Sequence, residues 1–159
     1  RDHLLELSAL APGVTIGVEA HQGSFLENPA DALRLARAVW PHAGITYDPS
    51  HFVMQGIPFA VTEPLLDFAV HVHVRDAALG QMQAAMGKGD VDIAGLVSAL
   101  KIRGYRGAIS IEYFSGFDME LQSTCVLRDL LLGLGIEIAS PPADSAAEFT
   151  EHNVTKEIQ

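Results

Sequence analysis

Between residues 13 and 114 four strand-length segments recur: GVTIGVEAH (13–21), GITYD (44–48), AVHVHVRD (69–76) and GAISIEYF (107–114). A stretch of helical period follows each one. After the first, Asn28 caps a helix, Pro29 sits in its first turn, and Leu33, Ala36 and Trp40 fall on one face. Pro49 ends the second strand, and a short helix begins near Thr62. After the third, VDIAGLVSALKIRG spaces Ile93, Leu96, Val97 and Leu100 as a helix does, with Gly104 as the stop. A last helix runs through MELQSTCVLRDLLLGLG, and the opening RDHLLELSAL reads as a helix entered in mid-course. The alternation of strand and helix predicts an α/β fold with parallel strands and outer crossover helices.

Side chains alternate across a strand. One face carries Ile16, Val18 and Ala20, then Ile45 and Tyr47, then Val70, Val72 and Val74, then Ile109, Ile111 and Tyr113. It is almost wholly apolar and belongs under the helices. The other face carries Gly17, Glu19 and His21; Thr46 and Asp48; His71, His73 and Arg75; Ser110, Glu112 and Phe114. All four strands place ionisable groups on this face, near their C-terminal ends, where parallel α/β folds bind ligands. Glu19, Asp48, His73 and Glu112 would converge there, one from each strand. Any one alone reads as a satisfied polar group. As a set, three carboxylates and an imidazole repel one another unless a cation sits among them. Oxygen and nitrogen donors together suit one divalent ion: Mn²⁺, Mg²⁺, Co²⁺ or Zn²⁺.

Composition narrows the partners. Twenty acidic residues against ten basic ones give a net charge of −10, which argues against nucleic acid. No apolar run approaches the ~20 residues of a membrane span, and RDHLLELSAL lacks the layout of a secretory signal. The one cysteine, Cys125, has no partner for an internal disulfide, fits a reducing cytoplasm, and reads as a buried structural thiol. From residue 140 the chain turns polar, so a globular unit is expected over 1–139 and a loose tail over 140–159. The glycosylation sequon at Asn153-Val154-Thr155 reads as chance.

The stretches GVEAH, YDPSH, HVHVRD, GKGDVD and GYRGAISIEY, in that order over residues 13–114, resemble the C-terminal half of the xylose isomerase-like TIM-barrel family. The resemblance implies four βα units of a (β/α)₈ barrel, equivalent to strands five to eight. It implies a metal-dependent sugar or sugar-phosphate isomerase or epimerase of carbohydrate metabolism, acting on a small sugar or polyol. Such an enzyme moves a proton next to a carbonyl through a metal-stabilised enediolate. Glu19 and Glu112 would be both metal ligands and acid/base groups, with Asp48 and His73 as the remaining ligands. His51 would contact a substrate oxygen, or a second metal where one exists. Arg75 and His21 are further substrate-binding candidates, although the family's substrate arginine does not sit at the spacing of Arg75. His71, one layer deeper, reads as structural. Two alternatives remain: a metal-dependent dehydratase or lyase on the same scaffold, and a catalytically silent small-molecule-binding half-barrel. The family's endonuclease branch places an Asp-x-His pair before the G-x-G turn. Here the same offset gives Gln81-Met82-Gln83, which argues against a DNA repair nuclease. Lys88, inside the G-x-G, reads as an exposed loop lysine. A full barrel needs about 250 residues, so either a missing N-terminal half-barrel or a second copy, as a homodimer, is expected to complete it.

Overall fold

The computed structural model describes residues 1–139. Helix α1 (Asp2–Leu10) leads into β1 (Gly17–Glu19), α2 (Pro29–Val39) and β2 (Gly44–Tyr47). Two single-turn helices follow, α3 (Ser50–Val53) and α4 (Phe59–Thr62), then a 3-10 turn over Glu63–Phe68. After them come β3 (Ala69–Val74), α5 (Ile93–Ile102), β4 (Ile109–Ile111) and α6 (Gln122–Gly133). The four strands form one sheet in the order β1-β2-β3-β4, every pair parallel. This is the expected α/β arrangement of consecutive βα units. The expected tail and the sequon lie outside the described residues.

Local chemistry sets the helix starts. The Asn28 side chain accepts a hydrogen bond from the Ala30 N–H at 2.9 Å, with Pro29 next to it. Asp92 does the same for Gly95 at 2.8 Å. The last helix begins later than its apolar spacing predicts, because Leu121 adopts a left-handed φ of 56° that breaks the run. Asp118 then satisfies the first turn from outside, accepting from the Ser123 and Thr124 N–H groups at 3.0 and 2.8 Å.

The core lies between the outer face of the sheet and the helices. Ile45, Tyr47, Val72 and Val74 pack with Leu65, Leu96, Leu100 and Leu127, all buried. Fully burying side chains of this size stabilises by roughly 1.5–3 kcal/mol each. The buried stripe of α2 is Ala32, Ala36 and Val39. Trp40, expected on it, lies past the helix end, 45% exposed and edge-on to Phe68. Cys125 is exposed, against the expectation of a buried thiol. The buried stripe of α6 runs Ser123, Leu127, Leu131, and position 125 falls off it.

Val70 also departs from the simple alternation. The β2–β3 register slips, so Ile45 pairs with Ala69 but Thr46 with His71, and Val70 is left over as a bulge. Its side chain turns toward the inner face, against Gly44. A β-carbon on Gly44 would collide with the Val70 methyl and stand 2.6 Å from the Phe68 carbonyl oxygen, so only glycine fits there.

Candidate metal centre

The C-terminal ends of the strands bring the four expected side chains together. One donor atom from each of Glu19, Asp48, His73 and Glu112 lies within 4.8 Å of all the others. His73, on the inner face of β3, is the hub. Its Nδ1 lies 3.3 Å from Glu19 Oε1 and 3.2 Å from Glu112 Oε2. Glu19 comes from the end of β1, and Glu112 from the residue after β4, tied back to β3 by its N–H on the Val74 carbonyl. Asp48 follows β2 and is wholly buried. Its Oδ1 accepts the Ser50 N–H at 2.8 Å, so an Asx-type turn aims the other oxygen at the cluster. Three carboxylates and one imidazole nitrogen within this reach could hold a divalent ion.

Arg75 is the largest fully buried side chain, only 1% exposed. Its Nη2 donates to Asp48 Oδ2 at 2.7 Å, and its Nη1 to Glu112 Oε2 at 2.9 Å and to the Glu112 carbonyl at 2.8 Å. Its Nε donates to Ser50 Oγ at 2.9 Å. The Met82 sulfur lies 3.6 Å from Nη2, and the Phe114 ring lies over the guanidinium at 5.1 Å. No strong donor is left for a substrate hydroxyl or phosphate, the role its place on the face of His73 suggested.

His51, in α3, is buried behind the cluster. Its Nε2 stands 3.6 Å from both Glu19 Oε1 and Asp48 Oδ2, while its Nδ1 is buried without a hydrogen-bond partner. Burial is the main influence on its imidazole and holds it below the usual histidine range; Asp48 pulls the other way without overcoming it. His21 is exposed, its ring centroid 4.0 Å from that of His51, and its Nδ1 is occupied by the Gln22 carbonyl. Glu19, His21 and His51 form a second group close enough to share an ion. However, Arg75 Nη2 stands 3.4 Å from His51 Nε2, so a cation already occupies the nitrogen that faces Glu19. His71 bonds Ser110 Oγ at 2.9 Å through Nε2, one step down the strand from the cluster.

Several supporting residues escape a reading of spacing alone. Asp76 accepts the N–H groups of Ala77, Gly87, Gly89 and Val91 at 3.0, 2.9, 2.9 and 3.3 Å. This folds the GKGDVD loop over the strand end. A β-carbon on Gly89 would occupy the place of the carboxylate, so the loop needs glycine there. Lys88, between the two glycines, is exposed. The Gln83 side-chain oxygen accepts the Phe114 N–H at 2.7 Å, and Met82 covers Ser50 and Arg75. The signal for these residues is a polar group beside a glycine-rich turn, which marks a loop anchor without naming its partner.

Among the described residues no helix is long and apolar enough to cross a membrane. No curated protein matches the chain. Among solved structures, D-allulose 3-epimerase from Methylomonas sp. in complex with D-allulose is similar at 24% identity and a TM-score of 0.60, covering 79% of this chain and 46% of that one. The apo form of 3-keto-D-glucoside 4-epimerase from E. coli is similar at 22% identity and a TM-score of 0.60, covering 84% and 51%. L-ribulose 3-epimerase is similar at 20% identity and a TM-score of 0.59, covering 96% and 59%. The chain thus spans about half the length of these structures, and the likeness establishes the fold they share. The family model of the xylose isomerase-like TIM barrel matches residues 2–151, and with four consecutive parallel βα units in place the chain belongs to that family.

Proposed function

We propose that the chain is the metal-binding half of a sugar or sugar-phosphate epimerase or isomerase. The observation that carries this reading is the position of His73 Nδ1, 3.3 and 3.2 Å from two carboxylates on separate strands, with Asp48 in reach. Glu19, Asp48, His73 and Glu112 would hold one divalent ion. When bound, such an ion supplies Lewis-acid polarisation of substrate oxygens. Glu19, from the end of β1, and Glu112, from the residue after β4, approach the hub from opposite sides of β3. They would remove a proton beside a carbonyl from one side of a sugar and return it from the other. His51, neutral through burial, would back the site behind Glu19 and Asp48, and the exposed His21 would line the rim. The named activities of the similar structures, all sugar epimerases, support this substrate class.

The barrel must be completed for catalysis. In the described residues β1 and β4 are paired on one side only, and either an N-terminal half-barrel or a second copy would cover them. Light scattering that finds a stable monomer excludes the second copy. With one cysteine and no disulfide partner, a reducing cytoplasm is the proposed compartment.

The test is calorimetric titration with Mn²⁺. The unsubstituted chain is expected to bind one ion. Glu112→Gln is expected to weaken binding by more than about 100-fold, beyond what losing an outer hydrogen-bond partner costs. Equal affinity in the two proteins refutes the ligand set. Product analysis on ketoses against inososes then separates epimerisation from dehydration, which use the same ligands.

A further inference from the structure

We infer that Arg75 is a positioning residue of the metal centre, an internal counter-charge whose fork fixes where Asp48 and Glu112 point. The inference rests on the metal-centre reading above. β3 is flanked by β2 and β4, and Arg75 lies one residue beyond its end. From there one guanidinium reaches both neighbours: Asp48 after β2 and Glu112 after β4. Ser50 Oγ holds Nε, and the Glu112 carbonyl takes a second Nη1 bond, so the plane of the fork is fixed from three directions. Arginine has five N–H donors. Four of these contacts are strong, and the fifth direction meets only His51 Nε2 at 3.4 Å and the Met82 sulfur at 3.6 Å.

Charge gives the second half of the argument. Three carboxylates and one guanidinium share the cluster, which leaves two formal negative charges in surplus. A divalent ion cancels that surplus; without Arg75 it would not. The guanidinium also bridges Asp48 and Glu112, which would otherwise repel each other. A substrate-binding arginine needs solvent access and a free donor. Arg75 has neither.

Arg75→Lys tests this without changing the charge, because lysine offers a point charge in place of the planar fork. Mn²⁺ affinity, read by calorimetry at a temperature where circular dichroism reports a folded chain, should fall about 10- to 100-fold. Ser50→Ala removes the acceptor for Arg75 Nε, leaves every charge in place, and should weaken Mn²⁺ in the same direction by a smaller factor. If Arg75→Lys fails to fold, Ser50→Ala decides. A merely structural arginine lowers the melting temperature and leaves Mn²⁺ affinity alone, so variants that bind Mn²⁺ as tightly as the unsubstituted chain overturn the proposal. An unsubstituted chain that takes up no Mn²⁺ fails differently, because it removes the metal-centre reading itself.

Discussion

The two faces of the same four strands follow opposite rules. The outer face buries Ile45, Tyr47, Val72 and Val74 against helices, and every group there gains from leaving water. The inner face buries Asp48 and Arg75 almost completely and half-buries Glu19, His73 and Glu112. Desolvating such charges costs about as much as their mutual attraction returns, and apolar side chains of the same volume would often be more stable. The inner face is therefore not explained by stability. Only alternation divides the faces, since each strand contributes to both at successive residues. A chain can thus change its chemistry along one face while leaving the other to hold the fold.

The comparison breaks first on Leu96. This side chain of α5 is buried in the outer layer. Leu96→Ala should cost about 3 kcal/mol, by lost burial and the cavity left behind, read as a lowered urea midpoint. Mn²⁺ affinity of the folded variant should be unchanged. A loss of affinity matching the loss of stability would mean that the two faces are not separable.

Glu19→Gln sharpens the comparison from the other side. Glu19 accepts from His73, but it also adds to a surplus of negative charge. Removing that charge should leave the stability of the metal-free chain within ~1 kcal/mol of the unsubstituted value, in either direction. The increase in melting temperature that Mn²⁺ confers should largely vanish. A variant destabilised as severely as Leu96→Ala would show that Glu19 serves the fold.

Much of this division is legible in the sequence, because alternation is a local property. Glu19, Asp48, His73 and Glu112 are found by counting in twos back from each strand end, and the structure brings them together. What escapes counting depends on partners far along the chain. Arg75 shares the parity of His73 and so reads as another inward group facing a substrate. Its actual partners lie 27 residues earlier at Asp48 and 37 later at Glu112. Val70 fails for a different reason. A one-residue bulge shifts the parity of everything before it, and the glycine that admits it, Gly44, belongs to the neighbouring strand. Cys125 fails because an apolar run marks a helix without marking which face is covered.

The smallest expected effect lies at the opposite end of the sheet from the metal centre. Tyr105 precedes β4, packs against the outer core, and donates its hydroxyl to the Ala108 carbonyl at 2.9 Å. Burial pushes this phenol up from its ordinary value near 10 to about 12. A raised folded value means that the neutral form is favoured by folding. Its contribution is whole below pH 10 and is lost as the pH rises toward 12, because the unfolded chain releases the proton first. The ring is only half-buried, so solvent keeps the contribution small. Tyr47, fully buried against Thr62, is shifted in the same direction and would mask the effect in a single protein. It is present in both proteins when Tyr105→Phe is compared with the unsubstituted chain, so the difference isolates Tyr105. Urea midpoints measured from pH 8 to about 11.5 should fall less steeply in Tyr105→Phe. Parallel pH profiles would mean that the phenol is as solvated in the folded chain as in the unfolded one, and that the outer layer stops short of this end of the strands.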